Sequence, residues 1–184
     1  MARTLFRNYT KRNSVAPYLQ SHGAIGSLLI KTVFEAVYLE DGKPNINANN
    51  KVFWLYTALR EDILPINYFN QVIEPDVLSK TFNYIFELID PEMFEILGNI
   101  PSLVFIRHFI NLFTEFENED ISLVIIDLLF AFGSGYTTST VTDPEIRVDD
   151  DILLCRTSQL LICIALVMTR QVLYDFNLRK ETPE

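Results

Sequence analysis

The sequence predicts an all-α fold, and three observations carry that expectation: apolar residues recurring at helical spacing, prolines standing where those runs begin, and a scarcity of turn-forming residues. Ile106, Phe109, Ile110 and Phe113 form one stripe and Val124, Leu128 and Ala131 another, and both are expected to face the core. Pro75, Pro91 and Pro101 each suit a first helical turn, where a missing N–H costs little. Only 6 Gly and 8 Pro punctuate 184 residues, whereas 49% of the chain is apolar, with 14 Phe and 8 Tyr, so a packed globule is expected and disorder is not. That length supports one sizeable core, and a single irregular multi-helix domain over 1–184 follows.

In chain order, helices are expected near 4–11, 19–38, 49–60, 75–88, 91–98, 101–116, 119–132 and 150–178. Asn118 supplies a capping oxygen ahead of Glu119 and Asp120, whose charge suits a positive helix end. Asp149, Asp150 and Asp151 do the same for the last helix, and Arg179 and Lys180 suit its other end. Residues 40–50, with Asp41-Gly42 and Lys43-Pro44, and residues 133–148, with Gly133-Ser134-Gly135, read as exposed connections.

The formal charge of −9 argues against nucleic-acid binding, but it is unevenly spread. No carboxylate side chain precedes Glu35, so Arg3, Arg7, Lys11, Arg12 and Lys31 give +5; ten basic and twenty-four acidic residues then give −14. An Arg-bearing, acid-free start can act as a mitochondrial targeting segment, and the plainer reading is a solvated basic first helix. The same cations interrupt any secretory signal, which leaves an intracellular location, cytoplasmic or membrane-peripheral, with the mitochondrion as the alternative. Cys155 and Cys163 lie roughly 12 Å apart along one helix, too far for a disulfide, and both read as reduced core residues. The apolar run from Leu160 to Met168 is shorter than the roughly 20 residues a bilayer requires, so it reads as a buried core helix and no transmembrane segment is expected.

Chemistry-bearing patterns are sparse. Gly133-Ser134-Gly135 lacks the lysine and spacing of a phosphate loop and follows a helix instead of a strand. Consecutive aspartates at 149–151 diverge on a helix, and neither His22 nor His108 has metal-ligand neighbours, so no metal or cofactor is expected. Ser21-His22 lacks a nucleophile-elbow context and reads as a polar turn or helix start.

More specific is an ordered series: Pro101-Ser-Leu-Val-Phe-Ile-Arg107-His108-Phe109, Leu112-Phe113-Thr-Glu115-Phe116, Ile126-Asp127, and the closing run Leu160 to Leu173 with central Ala165 and later Arg170. Together with Val52-Phe53-Trp54-Leu55, it resembles the TBC domain of Rab GTPase-activating proteins, above all its C-terminal lobe. Trp54, Arg107 and Asp127 match structural positions of that family, while His108 and Ile126 stand where it has tryptophans.

The resemblance implies a GTPase-activating mechanism with two side chains: an arginine from I-x-x-D-x-x-R that offsets transition-state charge, and a glutamine from Y-x-Q-G that positions water. Such an arginine is worth about 10³–10⁵ in rate. Tyr18-Leu19-Gln20-Ser21 falls where the glutamine motif belongs, making Gln20 the matching catalytic residue and Tyr18 and Gln20 the matching partner-binding positions. Ser21 replaces the motif's glycine, and no I-x-x-D-x-x-R occurs anywhere in the sequence. A naturally shortened, degenerate member is therefore expected: a noncatalytic module that binds proteins, either a Rab-type GTPase or the subunits of a larger assembly. The alternative is a residual activator in which Gln20 works with a partner's arginine.

Overall fold

The structure, a computed structural model, describes residues 2–13, 21–41, 47–65, 68–69, 73–116, 118–134 and 155–181. These form eight α-helices, and no strand occurs among them. The helices are α1 (Ala2–Arg12), α2 (Ser21–Asp41), α3 (Ala48–Ala58), α4 (Ile73–Ile89), α5 (Pro91–Leu97), α6 (Ile100–Asn111), α7 (Glu119–Phe132) and α8 (Arg156–Glu181). All eight expected helices are present. α3 runs on through one π-helical turn, Leu59–Ile63, in which the Leu64 N–H donates to the Leu59 carbonyl five residues back.

Local chemistry sets the helix starts. Asp90 caps α5 by accepting from the Met93 N–H at 3.1 Å with Pro91 in the first turn, and Asn118 caps α7 through the Asp120 N–H at 3.0 Å. Gly98, at φ 56°, stops α5, and the chain leaves at 88° to begin α6.

One hydrophobic cluster gathers Leu5 from α1, Ile25 from α2, Val52 from α3, Phe82 from α4, Phe105 and Phe109 from α6, Ile125 from α7 and Leu161 from α8, and Met93 and Phe94 of α5 pack against it. α4 and α6 are its central pair. Phe82 meets Phe105 at 5.1 Å and stacks on Phe86 at 6.0 Å, while Ser79 Oγ donates to the Ser102 carbonyl at 2.8 Å. Burying each such Phe contributes about 1.5–3 kcal/mol.

Four expectations are corrected. First, α6 ends at Asn111 and does not continue to 116, because Leu112 (φ 49°) and Phe113 (φ 58°) both enter the left-handed region. That conformation is costly without glycine, and complete burial of both side chains, with Ser122 Oγ donating to the Phe113 carbonyl at 2.7 Å, holds it. In the stripe expected there, Phe109 and Phe113 are buried and Ile106 and Ile110 only half-buried. Second, α7 turns Ser122, Ile125, Ile126 and Leu129 inward, whereas Val124 and Ala131 are exposed and Leu128 is half-buried. α7 is apolar on every side, so its phase is set by the Ser122 bond and by packing on α8. Third, Cys155 is buried but Cys163 is exposed. Eight residues rotate a helix by two turns and about 80° more, away from the inward face carrying Ser158, Leu161, Ile162, Ala165 and Thr169. Fourth, α8 is less buried than its apolar run implies. Its segment Arg156–Tyr174 is long and apolar enough to cross a membrane, with a mean hydropathy of 1.3, and one third of it is buried. The expected start of this helix at 150, with its Asp149–Asp151 cap, lies outside the described residues, as do 42–46 and 135–148 of the expected connections.

The tightest junction lies at the end of α7. A Cβ on Gly133 would collide with the Leu129 carbonyl oxygen and stand 2.8 Å from both Ile63 Cγ2 and Thr157 Oγ1. Thr157 Oγ1 also donates to the Ile63 carbonyl, fastening the start of α8 to the π turn. Gly133→Ala is expected to cost about 1–3 kcal/mol, seen as a lower urea midpoint with an unchanged slope.

Candidate functional site

The last residue of the expected glutamine motif and the one after it lead to a buried polar cluster. Ser21 and His22 open α2, and both are buried. Arg60, in the π turn, reaches back 38 residues and its Nη1 donates to His22 Nε2, with Nδ1 at 3.4 Å. The guanidinium lies 4.6 Å from the Phe69 ring centroid and 5.4 Å from that of Tyr9. Phe69 in turn meets the His22 ring edge-on at 4.6 Å. Three sequence-distant elements are thereby clamped by one cation that stacks on two rings and holds a neutral imidazole.

Burial and the adjacent Arg60 both disfavour the imidazolium and lower the His22 pKa from 6.5 to about 3. The sign follows by linkage. The unfolded chain binds the proton below about pH 6.5 and the folded chain does not, so this contribution is complete above pH 6.5 and is lost as pH falls towards 3. Burial lowers the His108 pKa as well, with Arg107 adding to the effect, and acts in the same direction. Unfolding free energy should therefore fall on acidification, by up to about 2 kcal/mol between pH 6.5 and pH 5 from His22 alone, seen as a lower urea midpoint. His22→Phe should flatten the dependence.

Tyr18 and Gln20 lie outside the described residues. Trp54, Arg107 and Asp127, the three positions that the resemblance in sequence matched to structural residues, lie at the surface. Trp54 is 57% exposed beneath Arg12, whose Cζ stands 5.5 Å from its ring centroid, and Arg12 also pairs with Glu61 at 2.8 Å. Arg107 is exposed and pairs with Glu115 at 2.7 Å, and Asp127 is exposed. His108 lies in an aromatic stack, 5.5 Å from Phe113 and 5.1 Å from Phe116.

Sequence reasoning missed a groove between the end of α4, α5 and α8. It encloses about 520 Å³ and is walled by Phe86, Ile89, Met93, Val167, Leu173 and Tyr174, with Asp90 and Arg170 among its lining. Ile89, Val167 and Tyr174 are 66%, 68% and 60% exposed. Ile96 of α5 and Ile100 and Leu103 of α6 are likewise 60–74% exposed. The crowding of apolar residues on every side of α8 was the available signal, because one core cannot bury them all.

Taken together, these features define an all-helical protein with a stapled interior and apolar side chains left open on one groove. Comparison with protein-family models, curated proteins and solved structures finds no match to this chain.

Proposed function

We propose that the chain is a noncatalytic, TBC-like interaction module that serves as a structural or accessory subunit, holding a partner protein in the groove between α4, α5 and α8. The observation that carries this reading is the groove itself: concave, apolar, and lined by exposed Ile89, Val167 and Tyr174. Exposed apolar surface of this kind marks a contact, and a channel between helices suits an amphipathic helix, whose apolar face it would cover. Asp90 and Arg170 in its lining favour a protein over a bilayer, because each can pair with a polar edge of the partner.

The resemblance in sequence order supports the TBC-like part of the reading, and the lack of an I-x-x-D-x-x-R motif in the sequence supports the noncatalytic part. That motif supplies the arginine finger that offsets transition-state charge. Arg12 and Arg107 are paired with carboxylates and Arg60 is held between two rings and His22, so none of these three stands in for it. The basic first helix also belongs to this reading as a structural element, because Leu5 and Tyr9 spend its apolar face on the core.

Two versions remain inside the proposal, a binder of a Rab-type GTPase and a subunit of another assembly. Single-turnover GTP hydrolysis by a panel of Rab proteins tests the noncatalytic claim. The expected result is the intrinsic rate with or without the chain; an acceleration that Gln20→Ala abolishes would overturn it.

A further inference from the structure

A second surface, on the opposite side of the chain's charge balance, has a chemistry of its own. Arg3, Arg7 and Lys11 follow one another at four-residue intervals along α1, which places them on one face, and all three are exposed. Among the described residues none of them forms an ion pair. α1 cannot rotate to hide them, because Leu5 and Tyr9 anchor its other face and the Tyr9 ring packs edge-on against Tyr56 at 5.1 Å.

This basic face is continuous with a trough along the seam of α1 and α3. Thr4 and Asn8 line both the basic face and the trough, which encloses about 630 Å³. Its lining includes the exposed amides of Asn49 and Asn50, with Phe53 and Trp54 as an aromatic wall. Beyond Trp54 it opens on a second apolar hollow of about 540 Å³ that ends at Val33 of α2.

We infer that this trough binds an acidic peptide segment carrying an aromatic or large aliphatic anchor. Each part of the surface matches one part of such a ligand. The unpaired cations meet carboxylates, the asparagine amides can donate to and accept from an extended backbone, and the Phe53–Trp54 wall receives the anchor. The charge balance favours this occupant over the other anions. A chain that carries −12 outside the stripe is repelled by nucleic acid and by an anionic bilayer as a whole, whereas a short peptide meets only the local +3 of the stripe. A flat bilayer would also leave the recess unfilled. The site lies on α1 and α3, away from the groove of α4, α5 and α8, so it does not depend on the function proposed above.

Trp54 is the chain's only tryptophan, so its emission reports on the trough directly. The probes are a blocked peptide Glu-Glu-Phe-Glu-Leu-Glu-Glu, its all-Gln counterpart, and phosphatidylserine vesicles. The acidic peptide is expected to give a saturable change in emission, with affinity falling at least about tenfold between low and high salt. Arg3→Glu with Arg7→Glu should weaken it at least about tenfold, and Asn49→Ala with Asn50→Ala should weaken it severalfold without altering charge. These side chains are exposed, and far-UV circular dichroism checks that each variant keeps its helices. Val167→Asp, in the other groove, should leave the titration unchanged. An equal response to the all-Gln peptide, indifference to the Arg3 and Arg7 reversals, no saturable response at all, or a response confined to the vesicles would each overturn the inference.

Discussion

Phe109→Ala is expected to destabilise the chain by about 3–5 kcal/mol, enough to leave a domain of ordinary stability largely unfolded at 37 °C. Phe109 is fully buried and packs against Phe105 at 6.2 Å and Phe113 at 5.9 Å. Its backbone is engaged as well, since the hydroxyl of buried Tyr68 donates to the Phe109 carbonyl at 2.7 Å. The ring lies one turn before the left-handed pair Leu112–Phe113, which is held there by packing. A cavity at 109 therefore removes contact area and also loosens what offsets a strained turn. Equilibrium urea unfolding followed by far-UV circular dichroism measures the loss. A cost below about 1.5 kcal/mol would mean that the core closes over the gap and that the turn does not depend on it.

The second large effect falls on binding and leaves stability alone. Ile89→Asp combined with Val167→Asp places two carboxylates in the groove between α4, α5 and α8, at positions already 66% and 68% exposed. Unfolding free energy should change by no more than about 0.5 kcal/mol, because exposed positions contribute little to the core. Affinity for the partner should fall at least about a hundredfold, since a desolvated apolar anchor is worth 2 kcal/mol or more and an unpaired charge buried in its place adds to the loss. Pull-down with purified variant and wild type, paired with thermal melts, separates the two. Equal loss of stability and binding would indicate that the groove belongs to the core.

The helices were legible in the sequence because their ends carry chemistry. Pro91 after Asp90, Pro101 after Asn99 and Glu119 after Asn118 each mark a first turn, and each stands at one. Which way the later helices face was not legible. α7 and α8 have apolar residues on almost every side, so periodicity favours no face, and a buried serine–carbonyl bond in one case and the Thr157 staple in the other set the orientation. The left-handed turn at Leu112–Phe113 was invisible because no glycine announces it.

The candidate sites divide in the same way. Ser21-His22 was legible as a helix start, but the His22–Arg60 contact joins residues 38 positions apart through a π turn whose extra residue leaves no periodic trace. The basic stripe was legible as charge, and its link to Trp54 was not, because that link is made by the crossing of α1 and α3. The apolar groove depends on what the fold leaves uncovered, a property that no spacing in the sequence records.

The proposal that this chain works as a subunit is tested most directly by the mass of the native protein, tagged at its own expression level and measured by sedimentation velocity of a gently prepared extract. The chain alone has a mass of 21.3 kDa. A subunit is expected to sediment as a discrete larger species of fixed stoichiometry, which the Ile89→Asp, Val167→Asp variant converts to the lone chain. Sedimentation of the wild-type protein at the mass of a single chain, or its recovery only with lipid bilayers, would contradict it.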